Sequence, residues 1–148
     1  MFRTIKVSAV AIFVSLLATI WVADFSALAQ EEHSHTHAPA SAKKLKNPLA
    51  ANKENIAAGR ALYNQNCASC HGTDGKSRTE VAAGMKVRPT NLTGRAMHSR
   101  KDGDIYWVIT NGITRSGMPA FKKLSANQRW QVTLYVKHLM GEHPHAGH

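Results

Sequence analysis

Cys67-Ala68-Ser69-Cys70-His71 places two thiols three positions apart, with an imidazole directly after them. That spacing could add both thiols across the two vinyl groups of one haem and hold the histidine beneath the iron. The chain has only these two cysteines, so attachment would leave none for a structural disulfide. A redox dithiol needs the same C-x-x-C spacing but a setting of alternating strands and helices, which the flanking residues lack. A zinc site needs two further ligands, and no H-x-x-x-H pair follows downstream. The motif predicts one covalently attached haem c.

An iron with one histidine has a second axial face, and what fills it separates an electron carrier from a ligand-binding or catalytic centre. Beyond the N-terminal segment the methionines are Met85, Met97, Met118 and Met140. Met118 lies between Gly117 and Pro119, which enforce a non-helical loop able to fix the direction of a thioether. Met85 and Met97 fall in polar loops, and Met140 ends a helix, where packing accounts for it.

These groups need helices to hold them. Asn52 can cap a helix over 52–66, with Ile56, Gly59 and Tyr63 along one side. Mid-helix, Gly59 costs about 1 kcal/mol relative to alanine, which close approach of another helix would explain. A second helix spans 102–111 and stops at Gly112. A third opens at Ser125, where S-x-x-Q forms a capping box, and runs to Met140 with Gly141 ending it. Its apolar residues Trp130, Val132, Leu134, Tyr135, Val136 and Leu139 surround the axis, so it packs on more than one side. No stretch alternates with period two; the domain reads as all-α.

Around this domain the composition changes. Residues 1–29 read as a signal peptide: Arg3 and Lys6 precede an uncharged run over 7–23, and Ala27-Leu28-Ala29 has the form of a cleavage site. The run also approaches the length of a spanning helix, so an uncleaved anchor, tethering the chain to a membrane, is the alternative. Residues 30–47 read as a histidine-rich flexible linker, 48–140 as the folded domain and 141–148 as a histidine-rich tail. Imidazoles at the density of His33, His35, His37, His143, His145 and His148 could bind Cu²⁺, Ni²⁺ or Zn²⁺; a biased tail without a metal is the plainer reading. Export, to the periplasm in a bacterium, suits haem attachment outside the cytoplasm.

The formal charge is +10, falling to +9 once Arg3, Lys6 and Asp24 leave with residues 1–29. A basic exported chain implies acidic protein partners or anionic membrane surfaces, approached by steering that salt weakens. No nucleic-acid-binding motif accompanies the charge.

Over roughly 52–140 the chain resembles class I mono-haem cytochromes c of the cytochrome c6 and cbb3 type. The resemblance rests on Gly59 and Tyr63 ahead of Cys67-x-x-Cys70-His71, and on Arg88-Pro89-Thr90-Asn91-Leu92. It rests also on Asp104 to Gly112 leading to Gly117-Met118-Pro119-Ala120-Phe121, and on the closing helix with Trp130 and Leu134-Tyr135-Val136-Lys137. It implies a small fold of three main helices wrapped around one haem, the first and last crossing near Gly59 against Tyr135 or Trp130. It implies His71 as proximal and Met118 as distal iron ligand, and a carbonyl at Pro89 that accepts a hydrogen bond from the proximal imidazole. Tyr106, Trp107 and Arg115 could contact the haem or simply pack. Lys122 and Lys123 could steer partners at the exposed haem edge. The function so implied is single-electron transfer between a donor and an acceptor protein, without catalysis. The alternatives are a subunit of a larger dehydrogenase or oxidase, and a haem enzyme or sensor with an open sixth position.

Overall fold

The computed structural model describes residues 38–142, and they are helical: α1 (Ala40–Lys43), α2 (Lys53–Asn66), α3 (Ala68–His71), α4 (Glu80–Gly84), α5 (Arg95–His98), α6 (Asp102–Asn111), a 3₁₀ turn (Thr114–Ser116) and α7 (Ala126–Glu142). Among the described residues there is no strand, only an isolated antiparallel bridge between Ile113 and Met118. The all-α fold expected from the sequence is the fold observed.

Helix α2 starts where expected, with the Asn52 side chain accepting from the amide of Asn55 at 2.9 Å. It crosses α7 at Gly59, where an added methyl group would meet the carbonyl of Gln131 and the Cβ of Tyr135. That contact is the reason for a glycine mid-helix. One turn on, fully buried Tyr63 meets the edge of Tyr135, ring centroids 5.1 Å apart and planes at 61°. Tyr135, then, is the aromatic residue at the crossing; Trp130 stacks instead on Tyr106, centroids 3.8 Å apart.

Helix α7 opens with the predicted capping box, Ser125 and Gln128 exchanging amide bonds at 2.8 and 3.2 Å. It is buried around its circumference, at Trp130, Val132, Leu134, Tyr135, Val136, Leu139 and Met140. It does not stop at Gly141 but continues to Glu142. Helix α6 is capped from Lys101, whose amide donates to the carboxylate of Asp104 at 3.0 Å. Ile105 and Ile109 then join the core.

Two methionines belong to that core, Met140 in keeping with its expected packing role and Met97 against the polar character of its neighbours in sequence. Met97, on the single turn of α5, and Met140 are both buried in the main cluster. Local polarity around Met97 hid a side chain that the fold turns inward.

Residues 38–47, read as part of the flexible linker, form α1 and pack on the domain. Ala38 and Ala42 are buried, and Gly103 of α6 gives the Ala42 carbonyl room to approach. Asn47 secures the end, its side-chain amide donating to the Trp130 carbonyl at 3.0 Å. The apolar contribution comes from two alanines, too small to register as a hydrophobic run. The signal-peptide segment 1–29 and the histidines at 33, 35, 37, 143, 145 and 148 lie outside the described residues. Among the described ones no helix is long and apolar enough to cross a membrane, and no three His, Cys, Asp or Glu side chains form a metal-sized cluster.

Candidate functional site

The chain bends at Cys67 (φ −121°) and then makes one further helical turn, α3. The Cys67 carbonyl accepts from the amide of His71 at 2.9 Å, so Cys67, Cys70 and His71 occupy successive corners of a single turn. Gly72, at φ +74°, ends it by taking a conformation that a residue with a Cβ rarely adopts. The turn is pinned from both sides. Tyr63 donates its phenol proton to the Gly72 carbonyl at 2.8 Å, and Thr79 donates to the Cys70 carbonyl at 3.3 Å. Cys67 and Ala68 pack against the core.

Burial, with a smaller push from neighbouring Cys70, raises the Cys67 thiol to about 12. A dithiol built for disulfide exchange needs the opposite, a thiolate stabilised near neutrality. The thioredoxin-like alternative therefore fails on electrostatics as well as on fold.

His71 is half-buried, and burial lowers its pKa, opposed by a hydrogen bond to the backbone at Thr90. Its Nδ1 lies 3.1 Å from the Thr90 carbonyl oxygen. This corrects the expectation for Pro89: the acceptor is one residue further on, because the Arg88–Leu92 segment is placed by the Leu92 amide bonding to Gly75 and by Ser77. Ser77 is buried, holds φ +55°, and donates its hydroxyl to the same Thr90 oxygen at 2.8 Å, with its Oγ 3.4 Å from Nδ1. Thr90 and Ser77 were not singled out in the sequence. A backbone carbonyl and a left-handed serine carry no type-and-spacing signal. With Nδ1 bonded, Nε2 is the nitrogen left to a metal.

Met118 is positioned by a separate device. The amide and carbonyl of Ile113 bond to those of Met118 at 2.9 and 3.2 Å, closing a loop through the 3₁₀ turn. Gly117 sits at φ +74°, and Gly112, at φ +70°, lies against the Met118 carbonyl, where a Cβ would come within 2.5 Å of the oxygen. The half-buried Met118 side chain thus leaves a loop fixed by its backbone. The Cε of Met85 lies 3.6 Å from where a Gly117 Cβ would be. One segment, from Thr79 to Leu92, therefore touches both the histidine and the methionine loop.

Tyr106 stacks on Trp130, and its hydroxyl accepts from Arg129 at 3.1 Å. Lys122 and Lys123 are exposed beside the methionine loop.

A donor set of two thiols on one turn, an imidazole oriented through Nδ1 and a thioether on a rigid loop fits haem c. Comparison with known proteins gives the same direction. The chain is 37% identical over 105 residues to the Cbb3-type cytochrome c oxidase subunit CcoP of Azospirillum sp. (strain B510), a match covering 62% of this chain and 33% of that protein. It is 35% identical over 81 residues to cytochrome c6 of Leptolyngbya boryana, covering 54% of this chain and 87% of that one. The chain spans about a third of the length of the cbb3-type relatives it matches. Among solved structures, a chain of the Kuenenia stuttgartiensis reducing HAO-like protein complex superposes with a TM-score of 0.56 at 30% identity, covering 62% of this chain and 46% of that one. Residues 54–136, more than half of the sequence, match the family described as cytochrome c oxidase, cbb3-type, subunit III, and the chain belongs to that family of c-type cytochromes.

Proposed function

We propose that this chain is an exported mono-haem cytochrome that passes single electrons between redox proteins. Cys67 and Cys70 hold the haem by thioether bonds, His71 is the proximal ligand through Nε2, and Met118 is the distal ligand. The haem, when bound, supplies the one-electron couple of its iron. Everything else is the work of the chain. Covalent attachment prevents loss of the group through repeated cycling. The Thr90 carbonyl fixes the imidazole ring and raises its basicity, which tunes the potential. The Ile113–Met118 bridge keeps the thioether in place whichever oxidation state is present, so little rearrangement accompanies each electron. A soft thioether favours the ferrous state and raises the potential relative to harder ligands.

Two observations support this reading: an imidazole oriented through Nδ1 by the Thr90 carbonyl, and a methionine on a loop fixed by its backbone; these are the side chains that would hold the iron. Partner docking has a surface to match. Exposed Val81 and Val87 flank Met85, and Lys86, Arg88, Lys122 and Lys123 surround the methionine-loop side with positive charge suited to acidic partners.

An optical spectrum of the matured protein, oxidised and reduced, with carbon monoxide added to the reduced form, tests the ligand set. A ferric methionine–iron charge-transfer band and no response to carbon monoxide are expected. Prompt carbon monoxide binding would replace the carrier with a sensor or enzyme having an open iron. A second reading, a subunit of a larger oxidase, is favoured by the similarity to CcoP; stable co-purification with a larger complex distinguishes it.

A further inference from the structure

The N-terminal strap formed by α1 and the residues after it has no part in the haem site, yet it is held firmly. Its backbone faces inward: the carbonyls of Ala42 and Leu45 lie against Gly103, and the Asn47 amide donates to the carboxylate of Asp102 at 3.4 Å. While Ala42 and Asn47 pack inward, the side chains over 43–46 face out. Lys43, Lys44 and Lys46 are exposed, and between them Leu45 presents 48% of its surface. Exposed Lys101 and half-buried Arg100, from the turn before α6, border the same contact. Lys137 joins them, donating to the Arg100 carbonyl at 3.3 Å and lying 4.0 Å from Asp102. Asp102 is half-buried beside Lys137, and Asp104 is buried.

We propose that this face rests the domain on an anionic phospholipid bilayer, with the lysines at the headgroups and Leu45 inserted among them. A single exposed leucine needs no explanation by itself. A leucine fixed in the middle of a lysine cluster combines the two attractions that hold peripheral proteins at membranes, apolar insertion and charge. Two further observations favour a bilayer over an acidic protein. Where the uncharged run over 7–23 is retained as an anchor, the chain that follows it leads to Ala38, the first described residue, which is buried beside this face. Lys137, bordering this face, lies 11 residues past Ala126, the first residue of α7, about 16 Å at helical rise, whereas Lys122 and Lys123 precede that helix beside the methionine loop. Seating the strap on a membrane leaves the methionine-loop side open to redox partners.

The test is amine labelling of the haem-loaded protein, read residue by residue by mass spectrometry, on two kinds of vesicle. One is phosphatidylcholine alone and the other is mixed with phosphatidylglycerol. Because a retained apolar segment would carry the protein to both, the difference between them isolates the charged face. Labelling of Lys43, Lys44, Lys46 and Lys101 is expected to fall several-fold on the anionic vesicles only, and to recover in high salt. Lys122 and Lys123 should label equally on both. Replacing Lys43, Lys44 and Lys46 with Gln should abolish the protection of Lys101 without altering the haem spectrum, each lysine contributing roughly fivefold in affinity. Equal labelling of the strap on both vesicles would overturn the proposal and leave the face to an acidic protein. Protection of Lys122 and Lys123 in place of the strap would overturn it too.

Discussion

The Thr90 carbonyl oxygen receives two donors at once: Nδ1 of His71 at 3.1 Å and the hydroxyl of Ser77 at 2.8 Å. Sharing an acceptor weakens its pull on either proton. Ser77 therefore moderates how strongly the carbonyl draws on the imidazole, and through it how electron-rich the iron's proximal ligand becomes.

Replacing Ser77 with alanine should leave the carbonyl wholly to His71. A more basic imidazole stabilises ferric iron, so the midpoint potential should fall. The ceiling is one hydrogen bond, about 1 kcal/mol, or roughly 40 mV for one electron by the same conversion that makes a tenfold change 59 mV. Redox titration reads the shift; an unchanged or higher midpoint would show that Ser77 does not act through the ring.

Gly59 should not accept a side chain. Its methyl group would fall on the Gln131 carbonyl, which is backbone and cannot move without shifting α7. Gly59→Ala should cost about 3 kcal/mol, the upper range for overpacking. Gly84→Ala, where nothing lies within 4 Å, is the control and should stay within about 0.5 kcal/mol of the parent. Urea unfolding of the two variants measures both.

Met118→Ala should open the sixth position, admit carbon monoxide and lower the midpoint. Gly112→Ala should produce a weaker form of the same phenotype, because it strikes the Met118 carbonyl at a φ of +70° while leaving the thioether in the chain. Loss of the charge-transfer band in the first variant and its attenuation in the second are the expected spectra. An intact band in Met118→Ala would put the distal ligand elsewhere.

Tyr63 provides a pH signature. Burial raises its phenol above the ordinary value of 10.0, with lesser contributions from neighbouring groups. The folded chain keeps the proton while the unfolded chain releases it near pH 10. The contribution to stability is complete below that pH and is lost progressively as pH rises above it. Tyr63→Phe should be about 1 kcal/mol less stable at neutral pH, from the lost bond to Gly72, and should lack this alkaline decline. Chemical denaturation at a series of pH values compares the two.

Much of the site was legible because its information is local. The thiols and the imidazole lie within five residues, so one helical turn suffices to bring them together. The loop at Met118 is written in the glycine and proline beside it. The three long helices follow from caps and periodicity, and Gly59 announced a close crossing without naming its partner. The acceptor for His71 was misplaced by one residue because any carbonyl in the Arg88–Leu92 segment has the same chemistry, and position alone distinguishes them. Met97 was misjudged for a related reason: its neighbours in sequence are polar, and only the assembled core shows which way it points.

The sequence by itself determined the chemistry of this protein: the attachment motif, the candidate thioether, the helical class and the basic charge. Each depends on residue type and short spacing, which backbone geometry converts directly into arrangement. The tertiary structure decided what depends on contacts between distant segments. It chose Tyr135 over Trp130 at the helix crossing, Thr90 over Pro89 behind the histidine, and Met85 as the neighbour of Gly117. It also drew residues 38–47 out of the linker and onto α6. Packing and hydrogen-bond satisfaction are properties of the whole fold, since whether a carbonyl is near a donor or an alanine is buried depends on residues tens of positions away.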